Sequence, residues 1–575
     1  MKFPAARGKL RRAAALAWVL PCLIVAAALG LARAEAPRAP GASRITLTLL
    51  ATTDLHGFVF PEDPETGGPA NLGLAKIATL VARERASHPN TLLVDCGDTT
   101  QGTALAYLAA TQYSSQPNPI IAAMNALEYD AMAIGNHDFN FGLAHLEKIR
   151  GESKFPILGA NVASTPEATG KPFPGYVVKT VAGIRVGIIG VVTPAVAHGE
   201  IPDNYRGYRF RPIVEAVEQA AGELRPKVDL LVLLAHSGLG REAGGAGMGP
   251  APGDGANPDN AMIEVANRVP GLDVIFFGHT HLEVGEMLIN GVLLSQAKFW
   301  GQSLAEAEIE MERPDEGPWR VAAKHSRVIP VTSEVAADSS ILAMNREIGT
   351  ITRQYLDRPV ARSAIPLDGA TARLEDHPMV DWIHQAQLEA GHADVSLAKM
   401  FRTSLRFPAG TLTMRNLFNL YPYDNVLYTI ELTGAELKEV LEQTASLDPA
   451  WPPAAAPAGH EAALPLPGYD AESAAGVSYV IDLTQPVGNR VRNLVFRGRA
   501  LGPDQRVLVA LNHFRYYGDE RLRTHRIVSQ APQHVLEALV EYASKAKDLP
   551  VEARGNWRIE PAEAREALLR EARRP

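Results

Sequence analysis

Cysteine is almost absent from this 575-residue chain: Cys22 lies in an apolar leader and Cys96 stands alone after it. One cysteine makes neither an internal disulfide nor a thiolate metal cage, so the fold rests on its apolar core in any redox compartment. Cys96 itself, between Asp95 and Gly97 at a strand end, is read as a small buried hydrophobe. An excess of positive charge is also missing. The 56 Lys and Arg are outnumbered by 64 Asp and Glu, giving a net charge of -8, which excludes the basic surface that a polymeric nucleic acid needs. A small anionic substrate stays allowed, because bound cations reverse a local field. Internal repeats are not apparent. The Gly- and Pro-rich stretch 240–258 is expected to be a flexible loop, and its spacing does not match a phosphate-cradling loop.

The first residues differ from the rest. Lys2, Arg7, Lys9, Arg11 and Arg12 precede an apolar run from Ala13 to Ala32, and Ala32-Arg33-Ala34 offers a small-x-small cleavage site before Glu35. This predicts a signal peptide over 1–34 and a periplasmic or secreted protein with no stable membrane insertion after cleavage. The alternative is an uncleaved anchor, since the run approaches spanning length, but Pro21 and Gly30 interrupt it. Arg11-Arg12 is too common a pair to single out twin-arginine export, and Pro21 departs from a lipoprotein signal before Cys22. Cleavage takes six basic residues and no acidic ones from a net charge of -8, leaving a mature chain at -14.

With 46% hydrophobic and 21% charged residues the remainder is ordinary globular protein, too long for one core. Strand-like runs at Ile45 to Leu50, Thr91 to Val94, Ala131 to Ile134, Leu230 to Leu234 and Val274 to Phe277 alternate with helical patterns at Leu74 to Arg85, Pro119 to Leu127 and Ile213 to Leu224. Alternation of this kind predicts a layered α/β domain over 44–330. A helical pattern from Ser339 to Leu356 predicts a linking helix within 331–360, and 361–560 has core-forming segments enough for a second domain. Residues 448–468 are expected to form a surface loop, and 561–575 a charged, solvated helical tail.

Each apolar run leads into a polar cluster: Asp54-Leu55-His56-Gly57, Gly97-Asp98, Gly135-Asn136-His137-Asp138, Ala235-His236-Ser237-Gly238 and Gly278-His279-Thr280-His281. A parallel sheet delivers all five to one rim, where α/β folds place their sites. Any one cluster is weak evidence. In order and at strand ends, they supply the carboxylate, imidazole and amide ligands that a pair of divalent ions needs.

The set resembles the calcineurin-like metallophosphoesterases over about residues 45 to 300. The second half narrows the resemblance. Asn419-Leu420-Tyr421-Pro422-Tyr423-Asp424-Asn425 and Asn512-His513-Phe514-Arg515-Tyr516-Tyr517-Gly518 are similar to the two base-binding segments of the two-domain nucleotidases. Gly476 to Pro486, Asn489 to Leu494 and Gly555-Asn556-Trp557-Arg558 resemble the periplasmic 2',3'-cyclic-nucleotide 2'-phosphodiesterase/3'-nucleotidase branch. The resemblance implies an α/β metallophosphoesterase sandwich domain, a linking helix and a C-terminal α/β nucleotidase substrate-binding domain.

It also implies roles. Two divalent ions, with Mn, Zn, Fe and Co not distinguished, would be held by Asp54, His56, Asp98 and His281 on one side and by Asp98, Asn136, His236 and His279 on the other, Asp98 bridging. His137 would serve the leaving oxygen or the phosphate; the alternative is a structural histidine. Tyr423 and Phe514 would sandwich the base, the alternative being two core aromatics, with Asn512 beside them. Arg402 and Arg406 are candidates for phosphate. Asn140 stands where the 5'-nucleotidase branch pairs an Asp with the catalytic His, and so favours the cyclic phosphodiesterase branch. Gly518-Asp519 departs from the usual Gly-Gly and puts contacts near the sugar in doubt. The implied activity opens 2',3'-cyclic nucleotides to 3'-nucleotides and dephosphorylates these. A 5'-nucleotidase or UDP-sugar hydrolase, a thiohydrolase of the same superfamily, and a catalytically silent nucleoside receptor are the alternatives.

Overall fold

In a computed structural model of the protein, residues 43–240, 259–314, 317–453, 466–468 and 470–574 are described. The expected signal peptide, the 241–258 stretch and most of the 448–468 loop lie outside them.

The first half is built on two six-stranded sheets rather than one. In the first, the order is Arg320–Pro330, Ser303–Arg313, Ser43–Thr52, Thr91–Asp95, Ala131–Ala133 and Ile157–Leu158. In the second it is Val284–Ile289, Val292–Gln296, Val274–Phe277, Leu230–His236, Ile184–Val192 and Tyr176–Val181. The central strands of both run parallel, with Leu50 beside Leu93 in the first and Leu234 beside Phe276 in the second. Their side chains alternate between two cores. Leu47, Leu49, Val94, Ile188, Val232 and Phe276 fill the space between the sheets, whereas Leu50, Leu93 and Met132 face outward onto helix Leu74–Ser87. Strands buried on both faces are apolar almost throughout, which is why the runs are conspicuous in the sequence. The sandwich that the resemblance implies is present, and what is corrected is the delivery of all five clusters by one parallel sheet: the two sheets share them. Helices cover only the outer face of each sheet, and stacking the inner faces removes both from water.

The linking helix is also corrected. It is two helices, Ser339–Met344 and Arg346–Leu356, meeting at Asn345. There the Asn345 side-chain amide donates to the Ile341 carbonyl at 3.1 Å, competing with the helix ladder.

The second half pairs a five-stranded sheet, in the order Glu472–Ala475, Val395–Lys399, Arg506–Asn512, Val426–Thr433 and Ile527–His534, with a four-stranded one built on Val491–Phe496, Val477–Asp482 and Trp557–Glu560. Helices Pro378–Gly391 and Val535–Ala546 cover the larger sheet. Helix Gly434–Ala445 is started by a capping box between Thr433 and Glu436. The tail is not simply solvated: helix Ala562–Ala572 buries Ala564 and Leu568 in the adjoining core and leaves its charges outside. The halves touch. Ala104 and Tyr107 pack against the core of the second, Tyr107 Oη donates to Glu537 at 3.2 Å, and the Asn419 amide donates to the Pro64 carbonyl at 2.7 Å.

Candidate active site

Five strand ends converge at the rim of the stacked sheets. Asp54, Asp98 and Asn136 follow strands of the first sheet; His236 closes one of the second, and His279 and His281 follow its neighbour. Ligand atoms of Asp54, His56 and His281 lie within 4.8 Å of one another, and so do those of Asp98, His236 and His279. Asp98 stands between the two groups, its Oδ2 at 3.0 Å from His236 Nε2 and 3.9 Å from His56 Nε2. Asn136 joins the second group, with Oδ1 at 3.0 Å from His236 Nε2. The structure therefore brings together all seven residues proposed from the sequence.

Backbone carbonyls set two of the imidazoles. His56 Nδ1 lies 2.9 Å from the Gln101 carbonyl and His236 Nδ1 lies 2.9 Å from that of Cys96, so each donates outward and turns Nε2 to the centre. Burial pushes His56 down to about 4, His279 to about 3 and His281 to about 4, which keeps their lone pairs open at neutral pH. Burial acts against protonated His236 too, but the Asp98 carboxylate outweighs it and holds the ring up at about 9. Asp98 is held well below the usual carboxylate range in return, burial notwithstanding. A cation bound there takes that proton's place. Buried oxygen and nitrogen donors without thiolate fit divalent ions, and the two groups are candidate sites for two of them.

The loops carrying these ligands are bent unusually. Asp54, His56, Asp98, His279 and His281 have φ of 49°, 47°, 56°, 77° and 57°, a region non-glycine residues seldom occupy. Close approach demands glycine beside them: a Cβ on Gly135 would stand 2.2 Å from Asp98 Oδ1, and one on Gly278 1.9 Å from Thr53 Oγ1. Two buried carboxylates hold the bends. Asp138 accepts from the backbone N–H of Asp98, Thr99, Thr100 and Gly135, and Asp95 accepts from Gly97 N and from the Thr52 and Thr99 hydroxyls. Neither figured among the site residues proposed from sequence, although Asp138 ends one of the motifs and Asp95 stands two residues before another.

A cleft of about 320 Å³ opens beside this centre, between the two halves. His137 lines it, with its ring centroid 5.6 Å from that of His56 and its backbone N–H donating to Asp98 Oδ1 at 2.8 Å. His137 Nδ1 lies 2.8 Å from Asn140 Oδ1, and the Asn140 amide donates to Glu200 at 2.5 Å. Glu200, 3% exposed, was not legible in the sequence, 60 residues beyond Asn140 with no motif around it. Tyr423 and Phe514 both line the cleft; Tyr423 lies near-parallel to His137 at 6.1 Å, and Phe514 packs on Gly199. Lys399 and Phe401 line it too and were missed. Arg402 is present, its guanidinium 5.0 Å above the Trp300 ring and bonded to Asn419. Asn512 reaches the wall, but its side chain caps helix His513–Gly518 and donates to Tyr421 Oη. Arg406 is not brought in: it pairs with Asp368 at 2.9 Å, away from the cleft lining.

Comparison with known proteins agrees with this geometry. Residues 47–283 match the calcineurin-like phosphoesterase family, and 348–525 match the 5'-nucleotidase C-terminal domain. The chain is 27% identical over 605 residues to a 2',3'-cyclic-nucleotide 2'-phosphodiesterase/3'-nucleotidase of Haemophilus influenzae, covering 92% of this chain and 90% of that one. It is 28% identical to the trifunctional nucleotide phosphoesterase YfkN of Bacillus subtilis, where it covers 90% of itself but only 39% of the longer protein. A crystal structure of a 5'-nucleotidase from Staphylococcus aureus, described as putative, superposes with a TM-score of 0.76 at 22% identity, over 90% of this chain and all of that one, a likeness of fold. The chain therefore belongs to the two-domain metallophosphoesterases, metal-dependent phosphoric ester hydrolases in which a calcineurin-like phosphoesterase domain precedes a 5'-nucleotidase C-terminal domain.

Proposed function

We propose that the protein is exported and opens 2',3'-cyclic nucleotides to 3'-nucleotides, which the same site dephosphorylates to nucleosides. The observation that carries this reading is the partner of His137. An amide, Asn140, takes its Nδ1, at the position where the resemblance implies a carboxylate in the 5'-nucleotidase branch. Similarity across nine tenths of a curated enzyme with this pair of activities supports it.

Asp54, His56, Asp98 and His281 would hold one ion and Asp98, Asn136, His236 and His279 the other. Bound there, two divalent ions supply a water of lowered pKa and offset charge on the phosphoryl group. The chain's own residues do the rest. His137, donating from Nδ1 to Asn140, presents Nε2 to the cleft and protonates the departing ribose oxygen. Tyr423 and Phe514 hold the base by its faces, which tolerates purines and pyrimidines alike. Arg402 supplies charge for the phosphate. Polymeric nucleic acid is no part of the reading.

The test is kcat/KM for 2',3'-cyclic AMP, 3'-AMP and 5'-AMP side by side, before and after chelation. The cyclic and 3' esters should lead, and all activity should vanish with the metal and return on adding divalent ions. A clear preference for 5'-AMP overturns the branch assignment and leaves the metal chemistry standing.

A further inference from the structure

The hydrogen bonds around His137 continue past Asn140 and can be assigned without ambiguity. Glu200 is a carboxylate held ionised: burial acts against its charge, but bonds from His513, Asn140 and the Ile201 N–H outweigh it. A carboxylate only accepts, so Asn140 must turn its NH2 to Glu200 and its carbonyl oxygen to His137, which must donate from Nδ1. Glu200 is fixed further by Asn204, whose amide donates to Oε1 at 3.0 Å, and by the Ile201 N–H at 2.6 Å. From the other half of the molecule, His513 Nε2 approaches Oε1 at 3.5 Å. That histidine's tautomer is also set, since Val426 N–H donates to its Nδ1 at 3.0 Å and leaves the proton on Nε2. Glu200 and His513 are each 3% exposed.

We propose that Glu200 is a positioning residue for His137, acting through Asn140, and that His513 of the C-terminal domain anchors it from the opposite side. The carboxylate stands one amide away from the histidine, with Asn140 between them. The anchoring residue adjoins Phe514, and Glu200 adjoins Gly199, on which the Phe514 ring packs. Seating the base-binding ring and completing the chain to His137 are thus one docking event. The inference rests on the proposed service of His137 to the leaving oxygen.

The experiment compares Glu200→Gln with the unmodified protein on 3'-AMP, on glycerol 2-phosphate and on bis(p-nitrophenyl) phosphate. The first two expel an alkoxide that needs a proton; p-nitrophenolate leaves without one. Glu200→Gln should lower kcat about tenfold or more on both alkyl esters, with KM within about twofold, and leave the p-nitrophenyl ester within about twofold. Asn140→Asp in the Glu200→Gln background restores a carboxylate to His137 and should recover most of the lost kcat. Unchanged kcat in Glu200→Gln, equal loss on all three esters, or no recovery in the double variant overturns the proposal. Failure of the unmodified protein on 3'-AMP alone would instead refute the nucleotide reading, and glycerol 2-phosphate would still decide the role of Glu200.

Discussion

Gly199 provides a sharp test of the base-binding wall. A Cβ built there stands 2.6 Å from Cε2 and 2.9 Å from Cδ2 of Phe514, where ordinary contacts lie at 3.4–4 Å. Gly199→Ala therefore displaces the ring by about 1 Å, a gap that forfeits roughly a quarter to a half of a dispersion contact. A base stacked on an aromatic ring gains about 1 to 3 kcal/mol, so the substitution should cost about 0.3 to 1.5 kcal/mol of binding. That is a rise in KM of about two- to tenfold for 2',3'-cyclic AMP and 3'-AMP. Initial rates against substrate concentration read it directly. Bis(p-nitrophenyl) phosphate, with no base, is the control and should be hydrolysed as before. Unchanged KM for the nucleotides would refute the stacking role of Phe514, and an equal loss on the control would show that the methyl had disturbed the centre instead.

Other outcomes follow from the buried groups. Asp98→Ala should lose both ions, by metal analysis of the purified protein, together with nearly all turnover; His137→Ala should keep both ions and lose kcat. Metal loss in His137→Ala would reverse the assigned roles. Burial pushes the Asp95 carboxyl up to about 7, against the hydrogen bonds it accepts from Thr52, Thr99 and Gly97. Its folded pKa exceeds the unfolded value of about 3.9, so the fold binds this proton more tightly and its contribution falls as pH rises through that interval, the penalty being complete above 7. Asp95→Asn should therefore gain Tm relative to the unmodified protein from pH 5 to pH 8; a difference independent of pH would refute this.

The candidate ligand set was legible because parallel strands buried on both faces write long apolar runs, and the polar residues that interrupt them must sit at strand ends. Which strands share a sheet was not, since Leu50 finds Leu93 and Leu234 finds Phe276 by pairing across many residues, with nothing local to record it. Asn345 shows the limit of periodicity: apolar spacing runs through it unbroken while its side chain ends a helix. Arginines behave worse still. Arg402 and Arg406 are four residues apart in similar surroundings, yet one lines the cleft and the other pairs with Asp368 outside it. Glu200 carries no signal at all, because its meaning comes from Asn140 and His513, which reach it from 60 residues before and 313 after.

The left-handed backbone at Asp54, His56, Asp98, His279 and His281 also bears on how variants of this protein sort. At about 1 to 2 kcal/mol each, five such residues sum to about 5 to 10 kcal/mol, comparable with the net stability of a whole domain. Glycine at any of them relaxes the chain as it deletes a candidate ligand. A screen that ranks variants by melting temperature under chelating conditions would then reward the loss of the active centre, residue by residue. Thermostabilisation of this scaffold has to be selected on turnover, or with the divalent ion present throughout.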